Sequence, residues 1–291
     1  MSGFDSPASG IAASVYLGLY TIFLIFMIYV LIKRGVKTLF TFIFVFCVFR
    51  FAGQLCGVIY AKVGVLYTNW LVAYLVLQAE GYFTLILTCF RITCKAQEDK
   101  FRKSWIMESG PRLPIFRQLN SSWMRCFHLI LIPANALLIA GGSLTAGVDL
   151  SDSSSGSENL NTAKRLRTAG QIIFLFMTAI SIGLNMYVFI KERVRNRSTM
   201  SVMIAGPFLI IRGIFGVLSI YIDDMNYYEL SNYSDTGVNK TLVIYEYVLA
   251  TTMEFLTAVV LMTRFFSPET VESEHRRGEK VSVSVSSYEG L

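Results

Sequence analysis

The chain has 291 residues, 54% of them hydrophobic and only 16% charged, with a mean hydropathy of +0.52. A soluble domain carries about a quarter charged residues, so these values exclude an ordinary soluble enzyme and point to a helical membrane protein. The net charge of +6 does not indicate nucleic-acid binding, because the positive residues stand at the borders of apolar stretches and form no continuous basic face.

In chain order, residues 1–10 lack the positive leader of a signal peptide, and the apolar run 11–32 is too long for a cleavable core. Lys33, Arg34 and Lys37 follow it directly, as expected of a spanning helix held by positive charge at its far end. A span needs about 20 apolar residues. Seven segments qualify: 11–32, 38–60, 70–92, 126–146, 169–190, 201–222 and 242–266. The fourth is the weakest, interrupted by Pro133, Asn135 and the pair Gly141-Gly142. The predicted fold is therefore all-α, a seven-transmembrane helix bundle over 11–266. Residues 1–10 form a short external N-terminus and 267–291 a disordered cytosolic tail. The stretch 149–157 (DLSDSSSGS) reads as a flexible polar loop. The five cysteines fall in spans or on the cytosolic side, so they read as small apolar packing residues and form no disulfide framework.

Orientation follows from charge. Eighteen Lys and Arg residues flank one side of the predicted membrane, against five (Lys62, Lys164, Arg165, Arg167 and Lys240) on the other. Positive-inside places the N-terminus outside or in the lumen and the C-terminus in the cytosol. The expected location is a multi-pass endomembrane such as the endoplasmic reticulum, with the plasma membrane as the alternative. Two glycosylation sequons, at Asn232 and Asn239, fall in the external loop before span seven. Asn239 lies nearer the membrane, which makes Asn232 the expected acceptor.

Charge inside a span is expensive and marks function by default. Arg50, Glu80, Arg212 and Glu254 all fall near mid-span, in spans two, three, six and seven. Two acids and two bases at one depth are expected to pair. Gln54 lies one turn outward from Arg50. Tyr247 precedes Glu254 by seven positions on the same helix face, Asp223 follows Arg212 nearly in phase at the external mouth, and Glu246 sits one turn inside the outer end of span seven. Spans two, three, six and seven are thus expected to surround a polar cavity that opens outward. The same residues also suit plain helix-to-helix bonding. Two histidines, His128 and His275, are too few for a histidine metal site, and the chain carries no zinc-protease, phosphate-loop or serine-elbow motif. No metal or other cofactor is expected.

Several of these residues lie in short strings that resemble a group of small fungal seven-span membrane proteins. The strings are Gly35 before span two, Phe49-Arg50-Phe51-Ala52-Gly53, Ile210-Ile211-Arg212-Gly213-Ile214, and Tyr245-Glu246-Tyr247 leading to Met253-Glu254-Phe255. A subset of that group resembles the membrane-bound terpene cyclases of meroterpenoid biosynthesis in secondary metabolism. The resemblance implies acid-initiated cyclisation of a farnesylated, possibly epoxidised, phenolic or polyketide intermediate. Its catalytic acid would be Glu80 or Glu254, whichever is less tightly paired, with Arg50, Gln54, Arg212, Asp223, Glu246 and Tyr247 in support. The implied partner is a lipophilic isoprenoid small molecule within the lipid bilayer. A second fungal group of similar size and topology implies the competing class, a lipid exporter or receptor-like protein without enzymatic activity.

Overall fold

The computed structural model describes residues 4–64, 67–108, 122–146, 153–234 and 237–266. Helices α1 (Pro7–Arg34), α2 (Phe40–Val63) and α3 (Thr68–Phe101) are followed by a single turn, α4 (Trp105–Glu108). Then come α5 (Trp123–Ala146), α6 (Ser153–Ile190) and α7 (Arg197–Tyr221). The seventh span is composite: α8 (Lys240–Tyr245), a π-helical segment (Glu246–Thr252) and α9 (Met253–Met262), closed by a 3-10 turn at Thr263–Phe266. Among the described residues seven helices are long and apolar enough to cross a membrane, which makes this a multi-pass membrane protein. The tail 267–291 lies outside the described residues.

Two expectations of length change. α3 continues to Phe101, well past the predicted end of its span, and Lys95 explains part of that extension. It pairs with Glu98 at 3.0 Å and Asp99 at 3.1 Å, one turn along, which supports a helix after its apolar run has ended. α6 begins at Ser153, so residues 153–157 of the expected flexible loop are helical.

Successive helices pack as antiparallel neighbours, with α3 also touching α5, α6 and α7. α3 therefore occupies the middle of the bundle, with half of its apolar window buried against 22% for α1. Close approach relies on glycine. A Cβ at Gly141 would fall 2.9 Å from the Ala163 carbonyl, and one at Gly170 2.9 Å from that of Ala134, so α5 and α6 meet almost backbone to backbone. α2 ends at Gly64, whose φ of +88° suits glycine alone and whose N–H caps Tyr60.

The end of the bundle at which the chain begins is capped by residues 222–234 and 237–239. Two 3-10 turns and a two-residue antiparallel ladder, β1 (Tyr233–Ser234) with β2 (Gly237–Val238), fold over it. Ser6 ties this cap to the helices: its N–H bonds to the Ala61 carbonyl, and its Oγ accepts from Val238 N–H.

Candidate functional site: a buried charge quartet and its unpaired amides

Three of the four mid-span charges meet. Arg50 Nη2 contacts Glu254 Oε2, and Arg212 Nε donates to Glu254 Oε1 at 2.6 Å. Glu254 is fully buried and both arginines nearly so. Glycine makes the arrangement possible on each side. The Arg50 guanidinium lies flat along α3 at Gly81, where a Cβ would sit 2.6 Å from Nε. Arg212 lies over the Tyr82 ring at 4.9 Å, with Gly216 one turn away.

The fourth member is not Glu80. That side chain is only partly buried and takes a hydrogen bond from Asn135 Nδ2 of α5 at 2.5 Å. Its place is taken by Glu246, which is buried on the same face of span seven as Glu254 and accepts from the Tyr74 hydroxyl at 3.4 Å. The π segment is the reason. Eight residues of regular α-helix, at ~100° each, would leave Glu246 roughly 80° out of phase with Glu254. The wider π turn rotates the chain less per residue and removes most of that offset. Glu246, Tyr247, Ala250, Thr251 and Glu254 then share one buried face.

Around the quartet lies a layer of neutral polar groups. Gln54 Oε1 accepts from the Tyr247 hydroxyl at 3.0 Å. On α3, Tyr74, Gln78 and Tyr82 follow one another at four-residue steps, all buried. Tyr82 reaches Thr178 of α6 at 2.8 Å. Several atoms of this layer have no hydrogen-bond partner: Arg50 Nε, Gln54 Nε2, both amide atoms of Gln78, Thr251 Oγ1 and Gln171 Oε1. The opposite end of the bundle contrasts with this. There Asn185 accepts from Thr93 and donates to the Thr199 carbonyl, while Glu192 accepts from both Gln97 and Trp105. Polar groups used only to fasten helices satisfy one another as those do. The layer beside the quartet leaves more of its polar atoms without such a partner, although Arg91 Nε and Ser181 Oγ elsewhere in the bundle are also without one.

Of the remaining sequence candidates, Asp223 is exposed on the cap and does not join the quartet. The expected outward opening is covered by the same cap, whose Tyr227 ring lies 6.3 Å from that of Tyr74. Burial pushes the Tyr227 hydroxyl well above the usual phenol range, so it stays neutral there. The order of the two sequons reverses. Asn232 is buried, and its Nδ2 donates to the carbonyls of Asp223 and Asn226 at 2.5 and 2.9 Å, leaving no room for a glycan. Asn239 is exposed at the start of α8 and uses only Oδ1, in capping Thr241. Among the described residues no group of histidine, cysteine, aspartate and glutamate could hold a metal ion. Sequence reasoning missed Tyr74, Gln78 and Gln171. Only the four-residue spacing of Tyr74, Gln78 and Tyr82 could have signalled the first two.

Among the described residues, seven apolar helices around a buried polar cluster, in which two arginines meet one glutamate, define a polytopic membrane protein. The chain matches the family described as Domain of unknown function (DUF7702) over residues 8–267, and it belongs to that family. Neither the curated proteins nor the solved structures contain a match to it.

Proposed function

We propose that this protein holds the polar end of a lipophilic small molecule beside the quartet and acts on it as a metal-independent acid catalyst. In this reading it is an isoprenoid cyclase of fungal secondary metabolism, taking a farnesylated or epoxidised-farnesyl phenolic substrate from an endomembrane. The observation that carries the binding is the unpaired layer of Arg50 Nε, Gln54 Nε2, Gln78 and Thr251. Unsatisfied polar atoms in a bilayer interior cost free energy that a bound partner recovers.

Proton delivery falls to Glu246 more readily than to Glu254. Both oxygens of Glu254 are taken by guanidinium groups, leaving neither to carry a proton. Glu246 receives one long bond from Tyr74. Glu80, held by a single amide, is the other candidate acid. The resemblance and an aromatic wall support cation chemistry. Tyr16 lies against Tyr247 at 5.4 Å, and Tyr20 against Phe255 at 5.4 Å and Phe46 at 6.0 Å, next to Arg50. Electron-rich ring faces stabilise a passing carbocation.

The test is conversion of farnesylated and epoxyfarnesylated phenols by microsomes carrying the protein, followed by mass spectrometry for a cyclised isomer of unchanged mass. A receptor or lipid exporter that uses the same site without chemistry is the second reading. The double ion pair on Glu254 favours it, because it removes one of the two acids the sequence suggested. Saturable binding with no isomer formed would select that reading.

A further inference from the structure

Gln78 and Gln171 flank the quartet where α3, α6 and α7 converge. α3 and α6 run in the same direction, joined by Tyr82 with Thr178, Thr93 with Asn185 and Gln97 with Glu192. These partners are 96, 92 and 95 residues apart in the chain, so Gln78 stands level with residues 170–174 of α6. Gln171 lies in that window, one turn before Phe174, whose ring packs on that of Tyr82 at 5.7 Å. The third wall is α7, which presents no side chain at Gly213 or Gly216. A Cβ at Gly216 would strike Gln171 Oε1 and come 3.2 Å from Arg212 Nη1, and one at Gly213 would fall 2.6 Å from the Tyr82 hydroxyl. Gln171 therefore projects into a notch of α7 beside Arg212, at the level of Gln78.

The polar atoms here are orphaned in a particular pattern. Gln78 is 4% exposed, and both atoms of its amide lack a partner, as does Gln171 Oε1. Gln54, whose neighbour Gly53 faces Leu77 of α3, has its carbonyl taken by Tyr247 and only Nε2 free. Two acceptors (Gln78 Oε1 and Gln171 Oε1) thus stand with two donors (Gln78 Nε2 and Gln54 Nε2). An ether or ester oxygen satisfies only the donors and leaves both carbonyls stranded in a medium of low dielectric. A hydroxyl serves both, because its hydrogen goes to a carbonyl while its lone pairs receive an amide N–H. We infer, on the reading that the unpaired layer holds a ligand, that this ligand is an uncharged lipophilic alcohol or phenol whose free O–H is read by Gln78 and Gln171. Gln78 determines the specificity, since it alone offers both roles.

The experiment is equilibrium binding of radiolabelled farnesol and farnesyl methyl ether, in which a methyl replaces the donor hydrogen, to the purified full-length protein in a non-ionic detergent. Farnesol is expected to bind the parent at least about tenfold more tightly than the ether. In Gln78→Leu and Gln171→Leu the two probes should bind within about threefold of each other. The thermal midpoint of each unliganded variant should hold or rise, because the change removes an unpaired buried group. Equal binding of the two probes to the parent overturns the hydroxyl requirement while leaving a ligand site in place, and this is the result if water alone bridges the two amides. A full preference for farnesol in both folded variants overturns the assignment to Gln78 and Gln171. Should one variant misfold, the parent ratio and the other variant decide. Saturable binding of neither probe overturns the ligand reading itself, and the hydroxyl requirement with it.

Discussion

Glu254 stands between two guanidinium groups that reach it from different helices, Arg50 from α2 and Arg212 from α7, the latter at 2.6 Å. One carboxylate therefore ties spans two, six and seven together at mid-depth. Glu254→Gln leaves two buried guanidinium groups without the carboxylate that both of them contact, and it should destabilise the protein by about 3–5 kcal/mol. The measurement is the yield and thermal midpoint of detergent-solubilised protein. A Glu254→Gln protein as stable as the parent would remove the structural role assigned here.

The Arg50 side chain needs the surface that Gly81 leaves open. A Cβ there meets Nε at 2.6 Å and Cζ at 3.1 Å. Gly81→Val should push the guanidinium off Glu254 and cost about 1–3 kcal/mol, as overpacking does. Gly18 supplies the control, since nothing lies within 4 Å of its Cβ position. Gly18→Ala should be neutral or stabilise by up to roughly 1 kcal/mol through helix propensity. Equal effects at the two glycines would argue against the observed α2–α3 register.

On the catalytic reading, Glu246→Gln and Glu80→Gln discriminate between the two available acids. Loss of a general acid lowers turnover by about 10²–10⁴-fold. We expect that loss in Glu246→Gln and a change of less than about tenfold in Glu80→Gln, with expression measured beside each rate. Parental rates in both variants at normal expression would leave these carboxylates without a catalytic role.

The exposed amide of Asn239 and the buried one of Asn232 predict how a glycan is distributed. If this end of the bundle faces the lumen, Asn239→Gln should abolish any endoglycosidase-sensitive mobility shift. Asn232→Gln should preserve the shift but loosen the cap, exposing residues 222–239 to protease. A reporter fused to the C-terminus should be cytosolic. A lumenal reporter would overturn the orientation drawn from the Lys and Arg distribution.

Sequence alone determined the seven spans, because a backbone in hydrocarbon must satisfy itself within a helix and about 20 apolar residues are needed to do so. It also singled out Arg50, Arg212 and Glu254, since charge at mid-span is conspicuous against an apolar background. Gln78, Tyr74 and Gln171 escaped because uncharged polar residues raise no such contrast, and a membrane helix tolerates them on any face until its neighbours are known. The exchange of Glu246 for Glu80 in the quartet was decided by tertiary structure. A helical wheel assumes a constant turn, whereas the π segment at Glu246–Thr252 resets the phase of span seven by an amount that depends on how the helices pack. The same holds for Asn232 and Asn239. Both carry the sequon, and only the fold of the cap buries one amide and leaves the other in solvent.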